Sequence, residues 1–209
     1  QLIMFAEQVN MIHRLDLAMI RRTLKWIRQQ LEEGIDARVA VNVSGQSLAN
    51  PDFCRSVIAL FERSKESLPQ LMIEITETAE ITDLEHADIW LSRFRQYGVE
   101  ICLDDFGTGA ANFNYLSALE VDYVKIDGPS IHQSLKNQKG RAFLRSLVGL
   151  CHQLGVEVVA EMIETDEMRD LVTKAGFDFA QGYLFGKPEK DITSYWRKLR
   201  SRRGRKKQI

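Results

Sequence analysis

The chain has 209 residues, 44% hydrophobic and 27% charged, an ordinary globular composition with enough length for one well-buried domain. No apolar run approaches the roughly 18 residues of a membrane span, which excludes a transmembrane segment. The net charge of −1 hides an asymmetry: residues 197–209 carry eight basic residues and no acid, so the body before them is acidic and suited to divalent cations. The basic tail is expected to be a disordered or frayed, solvated end, with no role for nucleic acid, and the domain to cover residues 1–196. The opening Gln1-Leu2-Ile3-Met4-Phe5-Ala6 is too short and uncharged for a signal peptide, and the chain is expected to be a piece of something longer. Three cysteines, Cys54, Cys102 and Cys151, have apolar neighbours and no metal-type spacing. They read as reduced, partly buried thiols of a cytoplasmic protein.

Helical spacing of Leu15, Ile20, Leu24, Ile27 and Leu31 predicts a helix over residues 6–33, ended by Gly34. Strand patterns follow at 38–43 and 71–75, with a helix opened by Asn50-Pro51 between them. Thr82-Asp83 caps a helix to about Tyr97, closed by Gly98. A strand at 99–104, a short helix at 113–119 and a strand at 123–127 come next. Then a helix spans 141–154, a strand 156–161, and a helix starts at Thr165-Asp166 and ends at Ala175 before Gly176. A weaker strand at 179–184 and a last helix at 191–199 complete the pattern.

Alternation of strand and helix in units of about 25–30 residues argues for a parallel sheet with crossover helices. Six strands suit a doubly wound sheet, whereas a closed (β/α) barrel needs eight. The barrel is favoured because no Gly-rich nucleotide fingerprint follows an early strand. In addition, unusual polar residues fall at the C-terminal end of every strand, and only a barrel brings all of those ends to one face. The expected fold is therefore an α/β, TIM-like barrel lacking its first strands in this chain.

Those polar residues are Asn42, Glu74 and Glu77, the pair Asp104-Asp105, Lys125 and Asp127, Glu161 and Glu164, and Gln181. Adjacent carboxylates at a strand end can hold hard divalent cations through oxygen or merely cap the next turn. Glu74, Asp104, Asp105 and Glu161 would place four negative charges in one mouth, which bound cations would compensate. Two metals about 4 Å apart, bridged by one carboxylate, clamp an in-line phosphoryl displacement; Asp104 is the bridging candidate and Asn42 a neutral oxygen ligand. Lys125 can orient a water or stabilise phosphate charge, and an unpaired lysine does not sit cheaply in an apolar strand. Asn42 can equally stitch a loop, and Glu77 and Glu164 can be first-turn acids of helices. His13, His86, His132 and His152 lie away from the strand ends, which argues against a histidine-based zinc hydrolase. Asp105-Phe106-Gly107 also spells the metal-binding motif of protein kinases, but no His-Arg-Asp catalytic loop or Gly-rich loop accompanies it.

Taken together, Asn42-Val43-Ser44, Glu74-Ile75-Thr76-Glu77, Asp104-Asp105-Phe106-Gly107-Thr108-Gly109, Lys125-Ile126-Asp127, Ala160-Glu161-Met162-Ile163-Glu164 and Gln181-Gly182-Tyr183-Leu184-Phe185 resemble the motifs of the EAL domain family. These are bacterial cyclic di-GMP phosphodiesterases with a (β/α) barrel. The resemblance implies hydrolysis of cyclic di-GMP to linear pGpG with two Mg²⁺ or Mn²⁺ ions. It implies Asn42, Glu74 and Asp104 as ligands of one ion, and Asp104, Asp105 and Glu161 around the second. Lys125 would contact the attacking water, and Glu77 would steady the loop after Asp105, a loop that in this family also contributes to dimer contacts. Glu164, Gln181 and Asp127 would bind substrate or hold waters. Upstream sensor or GGDEF domains and a homodimer are the partners such a domain implies.

The Glu-Ala-Leu motif that names the family is not among these residues, nor is the first-strand glutamate that binds metal. Met162-Ile163 stands where the family usually has Gly-Val, and is expected to crowd the site beside Glu161. Ala110-Ala111-Asn112 replaces the usual Tyr-Ser-Ser. A catalytically silent module that binds cyclic di-GMP or a protein partner is the alternative the sequence keeps open.

Overall fold

The computed structural model describes residues 2–76, 81, 83–107 and 112–188. Two helices, α1 (Leu2–Gln8) and α2 (Ile12–Glu32), lead into β1 (Val39–Val43), α3 (Gly45–Leu48), α4 (Pro51–Glu62) and a 3₁₀ turn over Lys65–Gln70. Then come β2 (Leu71–Thr76), α5 (Leu84–Arg95), β3 (Glu100–Phe106), α6 (Asn112–Ala118) and β4 (Tyr123–Ile126). The chain continues through α7 (Gly128–Leu135), α8 (Gln138–Gln153), β5 (Glu157–Ala160), α9 (Asp166–Ala175) and β6 (Phe179–Ala180).

The six strands pair in parallel in the order β1-β2-β3-β4-β5-β6. A doubly wound sheet reverses its strand order at a switch point; this one never does, which is the winding of a TIM-like barrel. Among the described residues β6 does not pair with β1, so the barrel stays open.

Alternation along each strand sorts residues to two faces. Val41, Val43, Ile73, Ile75, Ile101, Leu103, Val124, Ile126, Val158 and Ala160 are buried in the core shared with the helices. Phe61 of α4 meets Phe94 of α5 edge-on at 5.5 Å in that layer. The other face carries Ala40, Met72, Cys102, Tyr123, Val159 and Phe179 around a cavity of about 260 Å³ that also touches Arg38, Glu74, Lys125 and Gln181.

Local chemistry explains most element ends. Asn50, Asp83 and Thr165 cap α4, α5 and α9 through their side-chain oxygens, and Gly176 closes α9 in the left-handed conformation. Three expectations are corrected. The helix expected over 6–33 is two helices, broken at Asn10, whose φ of 53° leaves the helical region. The strand expected over 179–184 pairs only at Phe179 and Ala180, because the chain then crosses to Ile163 instead of continuing the ladder. Helix α7, absent from the sequence reading, starts where Asp127 accepts a hydrogen bond from Ser130 N and Pro129 occupies the first turn. The helix expected at 191–199 and the basic tail at 197–209 lie outside the described residues.

Candidate active site

The candidate side chains gather where β1 to β5 end. Asn42 and Glu74 are register partners on adjacent strands, and Thr76 stands opposite Asp104. A regular strand would send Asp104 and Asp105 to opposite faces. The β3–β4 register shifts between Leu103 and Phe106, and Asp105 takes a φ of 58°. This bulge turns both carboxylates toward one mouth: oxygens of Asp104, Asp105 and Glu161 come within 4.8 Å of one another.

Lys125, only 6% exposed, rises into the middle of the acids. Its ammonium lies 2.7 Å from Glu161 Oε1, 2.8 Å from Asp104 Oδ1 and 3.3 Å from Glu74 Oε1. Desolvation works against that charge, but the hydrogen bonds and fields of the three carboxylates prevail and hold Lys125 protonated well above the ordinary lysine range. Burial pushes Glu74 up from its usual value, Lys125 opposing and Asp104 and Glu161 adding to the rise. Burial likewise raises Glu161 against the pull of Lys125, and raises Asp105 with the help of Asp104. With Glu74, Asp105 and Glu161 resisting ionisation and several oxygens brought close together, the cluster has the donor chemistry of a divalent-cation site.

The remaining sequence candidates occupy varied places. Asn42 is exposed on the open edge strand beside Glu74. Gln181 lines both the inner cavity with Glu74 and Lys125 and a second hollow of about 210 Å³ with Glu161, Met162, Glu164, Gly182 and Tyr183. Asp127 is buried and acts as the cap of α7, and Glu164 is exposed. Glu77 lies outside the described residues. Sequence reasoning did not single out Asp16, buried in α2, which accepts hydrogen bonds from Ser44 N at 2.9 Å and Ser47 Oγ at 2.6 Å and so pins the loop after β1. A lone acid on the apolar face of a helix was the available signal. The three cysteines are free and buried as expected; burial pushes the Cys54 thiol up to about 12 and that of Cys151 to about 11.

A consecutive parallel β/α sheet with its acids converging at the strand C-termini defines a TIM-type chain with an acidic mouth whose carboxylates could hold a cation. The EAL domain family profile matches residues 1–188, and the chain belongs to that family. It is 32% identical over 202 residues to the cyclic di-GMP phosphodiesterase PdeB of Shewanella oneidensis, covering 97% of this chain and 24% of that protein. The structure of the EAL enzyme Bd1971 in its cAMP- and cyclic-di-GMP-bound form superposes with a TM-score of 0.81 at 29% identity, over 93% of this chain and 54% of that one. Klebsiella pneumoniae BlrP1, in a manganese and cyclic-di-GMP complex, gives 0.72 at 29% identity over 84% and 45%. The chain spans about a quarter of the length of the curated relatives it matches.

Proposed function

We propose that this chain is the metal-dependent phosphodiesterase unit of a signalling protein and hydrolyses cyclic di-GMP to linear pGpG. The observation that carries the reading is the Lys125 ammonium set among Glu74, Asp104 and Glu161, with Asp105 turned into the same mouth. Asn42, Glu74 and Asp104 would hold one Mg²⁺ or Mn²⁺, and Asp104, Asp105 and Glu161 a second. When bound, such a pair supplies Lewis acidity to the phosphate and lowers the pKa of water.

The chain's own groups do the rest. Lys125 donates toward the attacking water or a phosphate oxygen and offsets the negative charge that builds there. Water adds to phosphorus, one P–O3′ bond breaks, and the departing 3′ oxygen takes a proton. Gln181, Glu164 and Asp127 would bind substrate or order water, and Glu77 would steady the loop after Asp105. The domain comprises residues 1–196 followed by a solvated basic tail, acts in the cytoplasm, forms a homodimer and answers to upstream sensor or GGDEF domains. No described helix is long and apolar enough to cross a membrane.

The test is formation of pGpG by the purified protein with Mn²⁺, beside Glu161→Ala. Turnover that falls by at least about 100-fold in the variant is expected, the scale of losing a metal-binding group. Binding of cyclic di-GMP without turnover would instead establish a silent receptor.

A further inference from the structure

The loop that follows β5 is gripped on both sides. Met162, the residue after Glu161, adopts a left-handed φ of 53°, a conformation that side-chain-bearing residues seldom take. Its side chain lies flat on Gly128, the first residue of α7: a Cβ there would fall 2.3 Å from Met162 Sδ, 2.4 Å from its Cβ and 2.5 Å from its Cγ. The Met162 carbonyl accepts a hydrogen bond from His132 Nε2 at 3.3 Å, one turn further along α7. On the other side a Cβ at Gly182 would fall 2.2 Å from Ile163 O, and Ile163 N donates to Gln181 O at 2.9 Å. The loop thus passes between two backbones stripped of side chains. Met162 thus packs its Sδ, Cβ and Cγ against Gly128, while half of it stays exposed in the hollow it shares with Glu161.

We infer that Met162 is a positioning residue: seated on Gly128 and tethered to His132, it fixes the Glu161 carboxylate against Lys125. The connection is short. Helix α7 is capped by Asp127, two residues after Lys125 on β4, and Met162 follows Glu161 directly at the end of β5. Clamping Met162 to the first turns of α7 therefore fixes the spacing of the two strand ends whose side chains meet at 2.7 Å. A loop free to shift by an ångström would carry Glu161 out of that contact. The inference rests on the reading of Glu161 as a metal-binding carboxylate only for its effect on cation affinity, not for the clamp itself.

A double-mutant cycle tests it. Gly128→Ala is expected to weaken Mn²⁺ binding about tenfold, as loss of support for a ligand does, and to move the ¹⁵N–¹H signal of the Lys125 ammonium. In a Met162→Gly background the same Gly128→Ala change is expected to alter Mn²⁺ affinity by less than about twofold and to leave the Lys125 signal in place, because the Met162 atoms that the added methyl would strike are gone. Equal effects in both backgrounds, or an unmoved Lys125 signal in Gly128→Ala, overturn the clamp. If the wild type binds no Mn²⁺, the metal reading falls while the Lys125 signal still decides the clamp. Should Gly128→Ala not fold, His132→Ala and Met162→Gly serve singly: each is expected to shift the Lys125 signal, and constancy in both overturns the proposal.

Discussion

Lys125 is the residue on which the charge balance of the mouth turns. Its ammonium is the cation that faces Glu74, Asp104 and Glu161 together, and all four side chains are at least four-fifths withdrawn from solvent. Truncation of one partner in a buried ionic cluster costs about 3–5 kcal/mol, since the remaining charges are left without compensation. Protonation of Glu74 and Glu161, which already resist ionisation, softens that cost. Lys125→Met, close in volume and apolar, is therefore expected to lower the unfolding free energy in urea by about 3 kcal/mol near neutral pH. Saturating Mn²⁺ should return much of it by supplying the missing positive charge. A loss below about 1 kcal/mol would place the lysine among ordinary surface ion pairs and deny it this role.

At the scale of elements, the end of β1 is held by a neighbouring helix. Asp16 reaches from the second turn of α2 to Ser44 N and Ser47 Oγ, fixing the turn from β1 into α3 and with it the strand that carries Asn42. Burial raises its carboxyl, and the two donors offset part of that cost. Asp16→Ala would leave the buried Ser47 hydroxyl and the part-buried Ser44 N–H without their acceptor, at a cost of about 2 kcal/mol. Asp16→Asn, which keeps an acceptor oxygen, should lose less; equal losses by thermal unfolding would mean that the hydrogen bonds are not what holds the turn. This support was hidden in the sequence because nothing in the pattern of α2 says which strand end the acid meets. The caps Asn50, Asp83 and Thr165 and the strand cores were legible because their causes are local. The break at Asn10 was not, since no glycine or proline marks it. Helix α7 was missed because Gly128-Pro129 looks like a turn until Asp127 is recognised as its cap. The acids of the site were all named from their places at strand ends. The bulge that brings Asp105 round beside Asp104 was beyond reach, since a period of two puts neighbours on opposite faces.

Across the whole molecule, the acidic mouth sets fold stability and cation binding against one another. Glu74, Asp105 and Glu161 all have carboxyl pKa values raised above the ordinary 4.5, 3.8 and 4.5, burial being the first cause in each. A raised value means that the folded state holds its proton more tightly than the unfolded chain. The stability this contributes is full below the ordinary values and is lost as pH rises through the raised ones. Lys125, raised as well, contributes stability below the ordinary lysine value of 10.5 and loses it only as pH rises through its higher folded value, so it stays constant through the neutral range. As pH rises through those raised values the ionising acids thus burden the cation-free fold, and a divalent cation relieves them, whereas below them it must displace protons first. The rise in Tm produced by a fixed Mn²⁺ concentration is expected to grow from about pH 5 to about pH 8, reaching the equivalent of about 2.7 kcal/mol where the ion stands at 100 times its Kd. Glu161→Gln, which removes one of the titrating acids, should flatten that slope while shifting the cation-free Tm upward at pH 8. A Tm increment from Mn²⁺ that is the same at both ends of the range would break the link between the raised carboxyls and the ion, and would leave the acids as a structural cluster neutralised by Lys125 alone.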